Sequence, residues 1–481
     1  MRTNMRAIAA GFVILLAVVA VGPTTPAASI PSDRGAVEHA LNRLTFGPRS
    51  GDVERVQKMG LSAWIDQQLT PSRVDDSALA SHLPPIPAKP ATVNSPQEAR
   101  RYGREAVQAL AAQKVMRAIY SDRQLEEVLV DFWFNHFNVF AGKGRTSQFI
   151  PEYEREAIRP HVLGKFRDLL EATAKSPAML FYLDNWLSAD PEAAERFAAQ
   201  RQQRVGARGQ QPPNAQQRRR GLNENYGREL LELHTLGVDG GYTQEDVIEV
   251  ARAFTGWTIG PPEPAGGRGR GNRGRRVRQG PQTPRPAMDA DPGNAQFRFM
   301  AALHDTGAKT ILGQHIKSGG GMDDGERVLD IVAAHPSTAR HIATKLVRRF
   351  VSDDPPAALV DRVAARFRET DGDLREVVRA VITSPEFFAA EARRAKMKTP
   401  LEFVTSAVRA SGRDVTDATP LLNALRQLGM APYMCQPPTG YDDVAETWIT
   451  AGALVTRMNV AQQIAGAQRA STIGGPEFQK R

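Results

Sequence analysis

One segment constrains the fold more than any other. Residues Leu125 to Phe140 read LEEVLVDFWFNHFNVF, and on a helix their apolar side chains run all round the cylinder. A helix that is apolar on every side has to be buried on every side, so several other elements must pack around it. Those neighbours are also legible. In Ser337 to Phe350, the residues Ala339, Ile342, Ala343, Leu346, Val347 and Phe350 repeat at three and four, with Arg340, Lys345 and Arg348 outside the stripe and Ser337 as the expected cap. The period returns at Leu359, Val360, Val363 and Phe367, and again at Leu374, Val377, Val378, Val381 and Ile382. The expected fold class is therefore all-α, a compact multi-helix domain. Strand signal is confined to Gln296 to Gly313, where one small β-hairpin is expected with Asp305-Thr306-Gly307 at its turn.

The 481 residues, 41% of them hydrophobic, supply ample core. Two stretches cannot join it. Residues 188–221 and 261–294 are rich in Gln, Pro, Gly and Arg and nearly devoid of large apolar side chains, so both are expected to be disordered basic insertions. They also hold the charge. Of the net +9, six arginines and no acids fall in 201–220, and seven arginines against Glu263, Asp289 and Asp291 fall in 261–293, so the remainder is close to neutral. The RG-rich run has no interleaved aromatics for base stacking, and no specific nucleic-acid site is expected. Around the insertions the chain divides into an N-terminal helical part of the core (33–187), core helices (222–260), a hairpin with core helices (295–389) and a C-terminal helical part (390–481).

The first 28 residues have the layout of a secretory signal peptide: two arginines by Arg6, an uncharged apolar run from Ala7 to Gly22, and a small, Pro-rich stretch to Ala28. Export to the periplasm or the medium is expected. The alternative is an uncleaved N-terminal anchor, which would be the chain's only membrane contact. Cys435 is the single cysteine, so no internal disulfide can form and core burial alone must hold the fold. A packed, inert thiol is the reading preferred for it over a nucleophile.

Three places carry the residue types that chemistry needs. His136 lies in the helix that is apolar all round, where burial would depress its pKa and suit it to proton transfer or metal ligation, although a hydrogen-bonded structural histidine is the commoner outcome. In GLNENYGRELLELHTLG, expected to be one helix from Gly221 to Gly237, the residues Asn225, Glu229 and Glu232 share an arc beside the stripe of Leu222, Tyr226, Leu230 and Leu233, with Arg228 adjacent. A carboxylate buried there needs an arginine, a histidine or a metal ion beside it. His304-Asp305, with Lys309 close behind, is expected in a turn. The catalytic candidates are thus His136, Glu229, His304 and Asp305, and the metal candidates His136, Glu229 and His304. The binding candidates are Asn225, Arg228, Glu232, Trp257 and Lys309, with Trp257 serving either as a stacking platform or as a core anchor at the end of a helix that starts at Thr243. No specific motif indicates a cofactor: zinc-type HExxH, nucleophile elbow, P-loop and dinucleotide fingerprint do not occur.

Five runs in order, DFWFNHFNVF (Asp131 to Phe140), LNENYGRELLELHTLGV (Leu222 to Val238), ARAFTGW (Ala251 to Trp257), HDTGAKTILG (His304 to Gly313) and HPSTARHIATKL (His335 to Leu346), resemble the bacterial domain-of-unknown-function family 1800. The likeness runs from LNRLTFGPR near Leu41 to the final PEFQ. It implies a large, exported, helical protein without an established activity, and, by association only, an exported partner of the unknown-function family numbered 1501. In that family's pattern the position of His234 is usually aromatic, which argues against a shared catalytic role for it. Two functions follow as expectations: a helical binding or accessory protein of the cell envelope, acting with an exported partner or a surface polymer, or alternatively an envelope hydrolase with a buried His and carboxylate site, with or without a metal.

Overall fold

A computed structural model describes residues 30–90, 95–196, 199, 221–260, 295–465 and 472–481. The segment 1–28 and most of the two basic insertions lie outside the described residues. The all-α class is what the chain adopts, with helices laid down where the apolar periods run. Helix α1 (Arg34–Leu44) starts from Asp33, whose carboxylate accepts the Ala36 N–H. Helix α2 (Pro96–Tyr120) starts from Ser95 with Pro96 in its first turn. The segment apolar all round becomes α3 (Gln124–His136). It is walled by α1, the helix Leu61–Gln68, α2 and a π-helical turn at Tyr153–Ile158, which is how Leu125, Val128, Leu129 and Trp133 are all fully buried.

Helix α4 (Phe166–Ala174) precedes the first insertion. Structure reaches further into that insertion than composition predicts: Ala189 and Ala193 are buried, and Ser188 bridges Gly221 across the undescribed stretch. Helix α5 (Glu224–Glu229) runs directly into a second π-helical segment, Leu230–Thr235, and the chain turns at Gly237, which has the expected left-handed conformation at φ +88°. Helix α6 (Gln244–Ala253) opens with the Thr243–Asp246 capping box.

Among the described residues there are two small sheets where one hairpin was expected. Strand β1 (Trp257–Gly260) pairs antiparallel with β2 (Gln296–Phe299) across the second insertion, so Trp257 sits on a strand, not at a helix end. The hairpin itself is β3 (Lys309–Ile311) with β4 (Gln314–Ile316), and it turns at Leu312 and Gly313, both at positive φ, instead of at Asp305-Thr306-Gly307. A two-residue connection of this kind matches the twist of the strands.

Helix α7 (Met322–Ala333) packs on α4, and α8 (Pro336–Phe350), α9 (Ala357–Glu369) and α10 (Leu374–Ile382) form a three-helix unit. The cap of α8 is His335, whose ring accepts the Ser337 N–H at 3.2 Å; Pro336 in the first turn starts the helix before Ser337. Helix α11 (Pro400–Ser411) packs on α2 and on α12 (Ala451–Ala465). One continuous apolar core spans the described chain from Ala36 to Ile473.

Candidate functional site

The C-terminal end of α3 is where the sequence candidates gather partners. Two asparagines on either side of His136 hold the loop from Cys435 to Tyr441 against it. Asn135 donates to the Tyr441 carbonyl and accepts its N–H, both at 2.7 Å, and Asn138 donates to the carbonyls of Cys435 and Pro437 at 3.0 and 2.7 Å. Gly440 lets the loop approach, since a Cβ there would lie 2.3 Å from the Asn135 carbonyl oxygen. Neither asparagine was singled out from sequence. Polar residues inside an otherwise apolar helix were the available signal, because a buried amide has to find partners.

His136 is 1% exposed. Its Nε2 donates to the His234 carbonyl at 3.1 Å, which fixes the hydrogen on Nε2 and leaves Nδ1 as a lone pair without a partner. Two more imidazoles stand around it: the ring of His234 is 6.4 Å away and that of His341 6.1 Å, centroid to centroid. Nε2 of each is buried without a hydrogen bond. His234 faces inward because of the π-helical segment. The Leu236 N–H bonds the Leu231 carbonyl five residues back, at 2.8 Å, so the turn is wider than an α-turn and the residues beyond it rotate. Leu231 becomes fully buried while Leu233, expected on the apolar stripe, is only half-buried. Gly237 is required as well by His341, whose Nδ1 would sit 2.8 Å from a Cβ at that position.

The electrostatics follow from burial. Desolvation and the nearby Lys345 ammonium push the His234 ring down to about 3 and the His341 ring to about 4, and hold His136 well below the usual imidazole range. Lys345 lies one turn beyond His341 on α8 and makes no hydrogen bond or ion pair among the described residues. Burial and then Arg348 bring it down to about 8, with Asp443 opposing. Three neutral imidazoles can accept protons, and the Lys345 ammonium can give one up. Among the described residues no carboxylate is bonded to any of them, so the pairing of carboxylate with histidine that orients a catalytic base is not formed by those residues. The Cys435 thiol nearby is buried and pushed up to about 11, as expected of a packed cysteine.

The other candidates lie elsewhere. His304 is 5% exposed, so it is a core residue and not part of an open turn. Its Nδ1 donates to the Thr255 carbonyl at 2.9 Å and its Nε2 meets Asp324 at 3.1 Å. Lys309, 1% exposed, donates to Asp324 at 2.7 Å and to the carbonyls of Asp305 and Gly307 at 2.8 and 2.9 Å. Asp305 is held by Arg252 through two bonds at 2.7 and 3.0 Å, and against the upward push of burial that guanidinium keeps its carboxyl below the usual range. This network ties the β3–β4 hairpin to α6 and α7. Trp257 is fully buried, a core anchor with Phe254 and Phe297 against its ring.

The expected arc on α5 is broken by the π turn. Asn225 is exposed, Arg228 is exposed and donates to Gln244 at 2.6 Å, and Glu232 accepts from the Tyr242 hydroxyl at 3.2 Å. Glu229 is only half-buried and, among the described residues, has no hydrogen-bond or ion-pair partner, so the burial that would demand an arginine, a histidine or a metal ion beside it is incomplete. Burial, and then Glu232, push its carboxyl up instead, with Arg228 opposing. Glu229→Gln is accordingly expected to leave the melting temperature within about 2 °C of the parent, since it removes a desolvated charge and breaks no bond; a larger fall in a thermal melt would show a partner. His136, Glu229 and His304 are not brought together, and among the described residues no three His, Cys, Asp or Glu side chains are arranged to hold a metal ion.

No curated protein and no solved structure matches the chain. The family described as "Protein of unknown function (DUF1800)" matches residues 39–479, almost the entire length, including every motif that shapes the end of α3, the π-helical segment and α8. The chain belongs to the DUF1800 family of proteins of unknown function.

Proposed function

We propose that this protein is exported and serves in the cell envelope as a helical binding or accessory protein, acting with an exported partner or a surface polymer. The observation that carries this over the hydrolase alternative is the fate of the charged candidates. Asp305 is paired by Arg252 and Asp324 by Lys309 inside the fold, and among the described residues His136 and the two imidazoles beside it have no carboxylate bonded to them. A His-based hydrolase needs that pairing. The N-terminal layout of Met1 to Ala28 supports export, and an exported protein of the family numbered 1501 is the partner suggested by association. Among the described residues no helix is long and apolar enough to cross a membrane.

The test has two arms. The mature chain is mixed with isolated envelope fragments and sedimented, and it is assayed against aryl phosphate, sulfate and carboxylate esters. Saturable co-sedimentation without turnover is the expected result. Ester turnover that disappears in a folded His341→Asn variant, with no saturable sedimentation, would replace the binding reading by the hydrolase one.

A further inference from the structure

A cavity of about 490 Å³ opens between α1, the segment before α11 and the C-terminal residues 472–481. Its volume is that of a site for a small organic ligand. One wall is a single face of α1, on which Gly35, Glu38, His39 and Asn42 recur at helical spacing. The other walls bring five cationic side chains, Arg393, Arg394, Lys398, Lys480 and Arg481, against two carboxylates. Both carboxylates are already engaged, Glu38 with Arg34 at 2.9 Å and Glu477 with Arg394.

The floor of the cavity is more decisive than its rim. Lys398 is 4% exposed and lines the cavity, yet among the described residues its ammonium makes no hydrogen bond and no ion pair; it lies only over the ring of Phe478, at 3.8 Å from the centroid. Its surroundings do not neutralise it. Glu402 is shared by Arg349 at 2.7 Å and Arg481 at 2.6 Å, and Asp353 and Asp443 take Lys396. Among the described residues Arg457 bonds only neutral groups, the Lys398 carbonyl at 2.8 Å and the Gln479 amide oxygen at 3.0 Å, and buried Arg43 bonds only carbonyls. The buried cations here, Arg43, Arg349, Lys396, Lys398, Arg457 and Arg481, thus outnumber the carboxylates Asp353, Glu402 and Asp443. A main-chain carboxylate on Arg481 would lower that excess without removing it. Burying unpaired cations is unfavourable unless an anion joins them.

The geometry points to this cavity as a binding site for a phosphate-bearing ligand, with Lys398 at its floor and Arg393, Arg394 and Lys480 at its mouth. A phosphate monoester brings close to two negative charges and three strong acceptor oxygens, which suits an unpaired ammonium below and guanidinium groups above. Burial brings Lys398 down to about 7, with Glu402 opposing and Arg481 and Arg457 adding to the fall, and an anion beside the ammonium would raise it again. The inference goes beyond the envelope-binding reading and does not depend on it.

The test is thermal melting and calorimetric titration of the mature chain with inorganic phosphate and with glycerol phosphate, against chloride at equal ionic strength. Phosphate should raise the melting temperature by a few degrees at saturation, beyond any effect of chloride. Lys398→Met should melt no lower than the parent without ligand, because it removes an unpaired buried cation, and should lose the phosphate response. Lys398→Arg should restore it, and Lys398→Gln takes the place of the Met variant should that one not fold. Affinity in the neutral variants should fall about tenfold or more. No phosphate-specific shift in the parent, or an undiminished shift in both neutral variants, overturns the site. Vesicles of phosphatidylglycerol against phosphatidylcholine separate the sources: binding to the former that depends on Lys398 assigns a lipid headgroup, and response to soluble phosphate alone assigns a free phosphate ester.

Discussion

Acidification should unfold this protein in a pH range where most carboxylates remain ionised. Four histidines are buried in neutral form. His39 and His341 are pushed down to about 4, His234 to about 3 and His136 well below its usual range, by burial first in every case. Each folded value lies below that of the unfolded chain, so between about pH 6.5 and 4 the unfolded chain binds more protons, and stability falls as the pH falls through that window. At about 1.4 kcal/mol per unit of pKa difference, His39, His234 and His341 each contribute on the order of 3 kcal/mol across it. Those three together reach the order of 10 kcal/mol, comparable to the total stability of an ordinary domain, and His136 adds to the loss in the same direction. Carboxylate losses come later. Glu402, held at about 2 by Arg349 and Arg481 against the effect of burial, forfeits its contribution only as the pH drops below about 4.5. Circular dichroism melts should therefore show the transition temperature falling steeply between about pH 6.5 and 5, and His341→Gln should flatten that slope by roughly one proton. A transition temperature that stays level over this range would mean the imidazoles reach solvent.

The reason these histidines are together was only half visible in the chain. The burial of His136 was legible because its helix is apolar all round, and the left-handed Gly237, the Thr243–Asp246 cap and the stripe of α8 were legible because each is a local pattern of a few residues. His234 was not. Its inward direction depends on one extra residue per turn in Leu230–Thr235, and a reading at 100° per residue places Leu233 inside and His234 elsewhere. His341 reaches the cluster from more than 100 positions away along the chain, and nothing local to HPSTARHIATKL says which helix its outer residues meet. The same limit applied to His304. A His-Asp doublet before a glycine reads as an open turn, whereas Asp324, twenty residues on, draws the ring into the core. The cation-lined cavity was invisible for a related reason: Lys398, Arg393 and Arg481 are ordinary basic residues in sequence, and only folding concentrates them away from the acids that balance them overall.

Glu402 is the carboxylate whose loss should cost most. It sits near the start of α11, 3% exposed, and serves two purposes at once. One oxygen accepts the Thr399 N–H at 2.9 Å and completes the capping box; the other lies between the guanidinium groups of Arg349 and Arg481, at 2.7 and 2.6 Å. Glutamine can keep the capping bond, since its carbonyl oxygen still accepts, but it cannot keep the charge. Arg349 and Arg481 would then have only Asp443, at 3.8 and 3.7 Å, in a region already rich in unpaired cations. Leaving buried charges uncompensated typically costs about 3–5 kcal/mol, and Glu402→Gln is expected to fall in that range by urea unfolding. Glu376→Gln, which breaks the half-exposed pairs with Arg366 and Arg379, is the control and should cost about 1 kcal/mol or less. Equal small effects from the two would show that water enters beside Arg349 and Arg481 and screens them. A further consequence separates the cost of charge from the cost of capping: because removal of Glu402 deepens the cation excess next to the cavity, phosphate should stabilise Glu402→Gln more than it stabilises the parent, whereas a variant that had lost only its helix cap would gain no more than the parent does.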